Sequence, residues 1–216
     1  YIKMLDHGGY FEVTTLSKED LQKTELYHQN AQRAAAQAAF SDYGQYLNSL
    51  EMTATIRGFE PLYIQRIAQL TNKSNQFNLT TLRCSEDDIR AMAQNENQIC
   101  LCGKLVDKFG DNGIVTVVNG EQQGDELHMR LWLMSCRVLK RGMEDAMMNT
   151  VVECAAERGV STIYGYYYPT AKNAMVREFY ANFGFVKTTE DEAGNAVWKL
   201  DVTSYQPHPL HMKIKR

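Results

Sequence analysis

The sequence lacks long apolar runs, paired cysteines and blocks of like charge. No stretch of its 216 residues approaches eighteen consecutive apolar residues, so no membrane-spanning helix is predicted. The first residues, 1–9, carry no basic-then-apolar signal region. The formal net charge is only -3, and no run of five like charges occurs, which argues against a nucleic-acid or membrane partner.

Neither the cysteines nor the histidines are spaced like the ligands of a metal site. The five cysteines include no C-x-x-C pair, so they indicate neither a zinc ribbon nor a disulfide framework, and a reduced cytoplasmic setting fits best. The five histidines are scattered, and the pair His208 and His211 lies in a C-terminal tail. We therefore predict a cytoplasmic protein without a metal site.

The composition is that of a globular protein, 44% hydrophobic and 23% charged, large enough for one domain with an appendage. Residues 1–15 are too short to fold alone. Ser17 and Asp20 form a capping-box-like start to an Ala-rich helix that is predicted to reach about Leu47. We predict that residues 1–49 are an appendage with a long linker helix, and that residues 50–216 form the main domain.

From residue 50 onward, predicted strands and helices alternate in an α/β pattern. Strands are predicted at 51–57, 98–106, 113–119, 126–134 and 161–167, and helices at 61–70, after the Ser85 cap, at 142–158 and at 171–183. A hairpin with its loop at 190–195 closes the chain. This order predicts a mixed, mostly antiparallel sheet flanked by helices.

A basic turn between a strand and a helix is the first candidate site. Residues 128–134 are apolar and strand-like, and the turn that follows leads into a helix whose free N–H groups could bind phosphate. The segment resembles the pyrophosphate loop of GNAT (acyl-CoA N-acyltransferase) proteins, except that Glu144 replaces a small residue. A solvated corner before an amphipathic helix is the alternative. The predicted coenzyme-binding residues are Arg137, Lys140, Arg141, Gly142, Met143 and, from the next motif, Asn173.

The segment 173–185 looks like a second GNAT motif, in which an Asn opens a helix and an aromatic pair precedes Gly-Phe. The resemblance implies that Tyr180 protonates the leaving thiolate of a thioester, although a core aromatic is the alternative. Cys136 lies where the preceding strand meets the phosphate turn. It is a candidate acyl acceptor, or else an inert buried filler.

Two polar clusters are candidates for an acceptor site, although ordinary turn chemistry explains each of them equally well. One follows the first helix of the main domain and the other lies in the first hairpin. Their predicted substrate-binding members are Asn75, Gln76, Asn78, Asp111 and Asn112.

Several motifs together resemble the C-terminal GNAT-like region of FkbH-like proteins, which belong to the HAD superfamily, subfamily IIIC. They are Leu5-Asp6-His7-Gly8-Gly9, Asn72-Lys73-Ser74-Asn75-Gln76-Phe77-Asn78, Phe109-Gly110-Asp111-Asn112-Gly113, Trp132-Leu133-Met134-Ser135-Cys136 and Pro169-Thr170-Ala171-Lys172-Asn173. The resemblance implies that residues 1–49 are a remnant of the end of a HAD-type domain followed by the linker helix. It also implies a HAD-type domain in the same full-length protein and an acyl carrier protein as partner. Since the HAD nucleophile motif (Asp-x-Asp-x-Thr/Val) is absent here, we expect no phosphatase activity from this chain.

The sequence thus predicts an acyltransferase-type domain that handles an acyl thioester. The thioester would be carried by coenzyme A, as acyl-CoA, or by the phosphopantetheine arm of a carrier protein. One alternative is a non-catalytic module that docks a carrier protein for a HAD-type phosphatase or glyceryltransferase domain. Another is a purely structural domain with a degenerate cleft.

Overall fold

The computed structural model describes the backbone of residues 18–216 and the side chains of residues 25 and 27–216. The predicted strand-like piece at 1–15 and the Ser17 cap lie outside these residues. The chain divides into two compact units, with the boundary between Tyr46 and Leu47. Within the described residues, no helix is both long and apolar enough to cross a bilayer.

The predicted single linker helix is in fact two helices. Helix α1 spans Lys18–Ala38, and helix α2 spans Tyr43–Ser49. The Asp42 carboxylate accepts the backbone N–H of Gln45 at 2.7 Å, which caps the start of α2. A new cap of this kind begins a second helix instead of extending the first.

The second unit is built on one sheet with helices on both faces. Its strand order is β7-β8-β6-β5-β4-β3-β1-β9, and β2 is a short additional strand paired with β5. The nine strands are β1 Met52–Arg57, β2 Phe77–Asn78, β3 Gln98–Asp107, β4 Gly110–Gln123, β5 Glu126–Met134, β6 Thr162–Tyr167, β7 Val186–Glu190, β8 Ala196–Asp201 and β9 Met212–Lys215. The helices are α3 Ile64–Lys73, α4 Glu86–Gln94 and α5 Met143–Glu157.

Most neighbouring strands are antiparallel, but β5 pairs with β6 and β1 pairs with β9 in parallel. The mixed, mostly antiparallel sheet predicted from the order of elements is confirmed. Strand β9 was missed, because Met212–Lys215 is a short segment in a polar tail. Its pairing with β1 is decided by tertiary structure alone.

The predicted helix at 171–183 is wrong in type. The structure has two 3-10 turns there, Ala174–Val176 and Phe179–Phe183. The buried residues Val176, Phe179, Tyr180 and Phe183 recur at intervals of three and four. Such spacing also suits the three residues per turn of a 3-10 helix, so periodicity could not separate the two.

Helices α3 and α4 cover one face of the sheet, and α5 covers the other. Ile67 and Ile89 cluster with Cys102, Leu131 and Leu133 on the first face. Gly103 follows Cys102, and successive strand residues point to opposite faces. At Gly103 a Cβ atom would lie 2.2 Å from Met143 Cε and 2.7 Å from Thr116 Cγ2, so α5 packs directly on the strand there.

This contact predicts a stability difference between two glycines. We expect Gly103→Ala to lower the free energy of unfolding by about 1–3 kcal/mol, because the added methyl overpacks the α5 contact. Gly58→Ala is the matched control, since a Cβ there meets only Cys100 O at 3.8 Å. Urea unfolding of both variants measures the difference, and equal stabilities would contradict the packing.

Candidate thioester cleft

Strands β5 and β6 run in parallel for only a short distance before they part. Their ladder pairs Glu126–His128 with Thr162–Tyr164. Beyond that point β5 pairs with β2 instead of β6. Phe77 pairs with Met134, and Asn78 pairs with Leu133. A parallel pair that opens in this way leaves a gap between the two strands.

Leu79 bridges the two parted strands with its own backbone. Its N–H donates to Trp132 O on β5 at 3.0 Å, and its carbonyl accepts the N–H of Tyr168, just after β6, at 2.9 Å. The Leu79 side chain is completely buried. The gap between the strands is therefore filled by the chain itself.

Asn173 holds this filling segment in place. Its side-chain amide donates to Asn78 O and to Tyr168 O, each at 2.9 Å, and its Oδ1 accepts the Thr170 N–H at 2.7 Å. The residue is fully buried. Asn173 was predicted to bind coenzyme, but its hydrogen bonds in this structure join β2 to the end of β6.

The turn after β5 contains two residues with left-handed backbone conformations. Gly142 precedes helix α5 with φ = 80°, a left-handed conformation that favours glycine, and Lys140 has φ = 63°. The Glu144 carboxylate folds back over this turn and accepts the N–H of Lys140 at 3.1 Å. Burial raises the pKa of Glu144. The chain's own carboxylate thus occupies the position where a phosphate would meet the turn.

Arg141 and Met143 point into the protein and not into a cleft. Arg141 is buried, with Nη1 3.1 Å from Asp107 Oδ2 and Nη2 donating to Arg137 O at 2.8 Å. Met143 is fully buried and packs on Gly103. The half-buried Arg137 donates from Nε to Ser135 Oγ at 3.2 Å. Lys140 is the exposed cation of this turn.

Tyr180 lies beneath strand β6. Its ring is so close to the strand that a Cβ at Gly165 would lie 2.5 Å from Tyr180 Cζ. The side chain is wholly buried, and burial raises the pKa of its phenol. The sequence analysis gave a core aromatic as the alternative role of Tyr180, and its burial agrees with that alternative. The predicted role as an acid requires the Tyr180 hydroxyl to reach a thioester.

Cys136 lies at the end of β5 and is exposed, unlike the buried Cys84 and Cys102. Its thiol can therefore meet a reagent from solution. The prediction that it accepts an acyl group stands as a prediction.

The predicted acceptor residues lie in two separate places. Asn75 Oδ1 accepts from Arg83 Nη2 at 2.6 Å, Gln76 is exposed, and the buried Asn78 donates to Ser74 O at 3.2 Å. In the β3–β4 hairpin, Asp111 pairs with Lys104 at 2.6 Å and the buried Asn112 donates to Leu105 O at 3.3 Å. These bonds shape a loop and a hairpin.

A pocket that sequence reasoning missed lies beside the filling segment. It has a volume of about 200 Å³ and is lined by Thr80, Leu82, Met129, Arg130, Tyr166 and Tyr168. The β4–β5 register slips between Asn119 and Gly120, which leaves Arg130 without a ladder partner on β4. Instead, the Arg130 carbonyl accepts the Thr80 hydroxyl at 2.7 Å. The sequence pattern that could have indicated this pocket is the alternation of polar residues with apolar ones on β5, together with the alternate tyrosines of β6.

Solved structures with the same architecture include N-acetyltransferases. Ribosomal-protein-S18-alanine N-acetyltransferase from Escherichia coli matches with a TM-score of 0.53 and 16% identity, over 69% of this chain and 94% of that one. The GNAT domain of S. lividans PAT matches with a TM-score of 0.53 and 17% identity, over 68% and 89%. The chain has the GNAT fold. No family model and no curated protein matches it.

The FkbH-like resemblance and its HAD partner thus stay predictions. At these identities the GNAT neighbours show the fold alone. A third neighbour, PaiA N-acetyltransferase from Thermoplasma acidophilum, was solved in complex with coenzyme A; it is 13% identical, with a TM-score of 0.51, over 68% of this chain and 98% of that one. In the present chain, Leu79 bridges β5 and the end of β6, and the Glu144 carboxylate bonds to the turn before α5, so a coenzyme would meet the chain's own groups at both places.

The buried Arg141–Asp107 pair predicts that Arg141 acts on stability. We expect Arg141→Ala to lower the free energy of unfolding by about 3–5 kcal/mol, because it breaks a buried ion pair in which Arg141 Nη1 lies 3.1 Å from Asp107 Oδ2. Lys140→Gln removes the neighbouring exposed charge and should change stability by less than about 0.5 kcal/mol. Thermal and urea unfolding measure the change in stability of each variant. If both variants changed stability equally little, Arg141 would again be a candidate phosphate ligand.

Proposed function

We propose that residues 47–216 form an acyltransferase-type module that handles an acyl thioester on the phosphopantetheine arm of a carrier protein. The observation that carries this choice is the Glu144 carboxylate over the turn before α5. A diphosphate at that position would face a like charge, and coenzyme A carries a further phosphate. The arm of a carrier protein has a single phosphodiester, so it meets less repulsion.

The parted strands limit where a pantetheine chain, which coenzyme A and a carrier-protein arm share, could lie. Because Phe77 to Leu79 bond along the edge of β5, a pantetheine chain cannot form its hydrogen bonds there. The exposed end of an acyl arm can instead reach the pocket beside Thr80 and Leu82, which is open to solvent. The FkbH-like resemblance agrees with a carrier protein as partner.

The buried position of Tyr180 and the filled gap favour a second candidate, in which the module docks a carrier protein without catalysis. The carrier protein would then present its arm to a HAD-type domain of the same full-length protein. In both candidates the module binds the arm of a carrier protein. They differ in whether the module also breaks the thioester bond at the acyl carbonyl.

Binding of the arm can be compared directly with binding of the whole coenzyme. We expect calorimetry to give an affinity for 4′-phosphopantetheine at least about tenfold higher than that for coenzyme A, because the coenzyme's extra phosphates face Glu144. Glu144→Gln keeps the shape of the side chain and removes its negative charge. It should therefore reduce the difference in affinity between 4′-phosphopantetheine and coenzyme A. Micromolar binding of coenzyme A to the unmodified chain would contradict the proposal.

Acyl transfer should not depend on the Tyr180 phenol. We expect Tyr180→Phe to leave thiol release from S-acetyl-phosphopantetheine within about twofold of the unmodified chain, because the Tyr180 side chain is completely buried. Cys136→Ala is followed in parallel by intact mass. An acetyl adduct that disappears in this variant would assign a covalent route through Cys136, whereas a loss of about a hundredfold in Tyr180→Phe would restore the acid role.

A further inference from the structure

A row of four rings crosses the face of the sheet opposite to Tyr180. Tyr180 packs on Gly165, and the side chains of Tyr164 and Tyr166 on either side of that glycine point the other way. The His128 ring stacks on Tyr164 with centroids 5.1 Å apart and lies 6.1 Å from the Tyr166 ring. Tyr168 continues the row, 6.4 Å from Tyr166.

Within this row, three polar groups form a chain of contacts. The Tyr166 hydroxyl lies 2.7 Å from His128 Nδ1. On the other side of the imidazole, Nε2 lies 3.4 Å from Glu126 Oε2, and it makes no hydrogen bond to any described residue. With the histidine proton on Nε2, Nδ1 is free to accept from Tyr166, and the carboxylate faces the proton.

The outer end of this chain opens into the pocket. Tyr166 lines it together with Arg130 and Thr80, whereas His128 is set back, with a side chain only 13% exposed. Burial raises the pKa of Tyr166, so the phenol stays protonated at neutral pH and can both give and take a proton. An aromatic hydroxyl, an imidazole and a carboxylate in sequence follow the logic of a general-base relay.

Resting on the proposed function, we propose that Tyr166, His128 and Glu126 are a proton-transfer site that activates a hydroxyl acceptor for attack on an acyl thioester in this pocket. The acceptor gives its proton to Tyr166 Oη as the Tyr166 proton passes to His128 Nδ1. The acceptor oxygen forms the new C–O bond, the C–S bond breaks, and the thiolate takes the proton back along the same path. A thioester and an alcohol thus become an ester and a thiol; with water, the products are an acid and a thiol.

The surrounding charges suit this transfer. Glu126 stabilises the imidazolium that forms when His128 takes the proton. The Arg130 guanidinium is paired with Glu121 at 2.8 Å and lies 5.8 Å from the Tyr166 ring centre. Lys199 lies over Tyr164, 5.8 Å from its ring centre. None of the residues that line the pocket carries a carboxylate.

The test uses S-acetyl-N-acetylcysteamine, a small thioester with the end group of pantetheine, and water as the acceptor. We expect the whole chain to release thiol faster than buffer does, as followed by proton NMR. Tyr166→Phe and His128→Gln should each lower this rate by about a hundredfold. Tyr166→Phe keeps the ring in the stack and so keeps the fold. Tyr63→Phe is the control, since that phenol belongs to the residue before helix α3 and does not line the pocket.

Binding of 4′-phosphopantetheine is measured on the same samples. Binding without thiol release, or equal rates in the unmodified chain and both variants, would overturn the proton-transfer site and leave the docking module. Thiol release that depends on Tyr166, without binding of the arm, would support the site and reject the carrier-protein arm as its donor.

Discussion

The parting of β5 from β6, and the filling of the gap by Leu79, is the constraint on which the second unit depends. Two parallel strands that diverge inside a sheet expose unpaired N–H and C=O groups, which cost free energy when buried. Leu79 satisfies one such group on each side, at Trp132 and after Tyr167. The segment therefore completes the sheet, and Asn173 secures it with an amide that bonds on both sides.

The same principle explains the turn before α5. A helix N-terminus attracts an anion because its first N–H groups have no partners within the helix. The Glu144 carboxylate is that anion, and the Arg141 side chain pairs with Asp107 in the interior. Two features that would hold a coenzyme in an open fold are thus satisfied internally. The pocket with Tyr166 is open to solvent and is lined in part by polar side chains, which is why both proposals concern it.

Much of the fold could be predicted from local patterns. The strand at Glu126–Met134 alternates half-buried and buried residues as far as Leu131 and is buried from there on. The Ser85 capping box begins α4 where the sequence indicated. The candidate site was predicted less well. Tyr180, Asn173 and Arg141 were selected by residue type and position, but side-chain direction decides their contacts, and no local pattern contains it.

The sequence by itself determined most of the order of strands and helices and the mixed, mostly antiparallel sheet, because these depend on periodicity and capping. Tertiary structure alone decided that β9 joins β1 and that residues 77–79 lie between β5 and β6. It also brought His128 to Tyr166, which is 38 residues away in the chain. Such contacts join segments far apart in sequence, and their free energy comes from satisfying buried backbone and packing side chains, which only the assembled sheet makes possible.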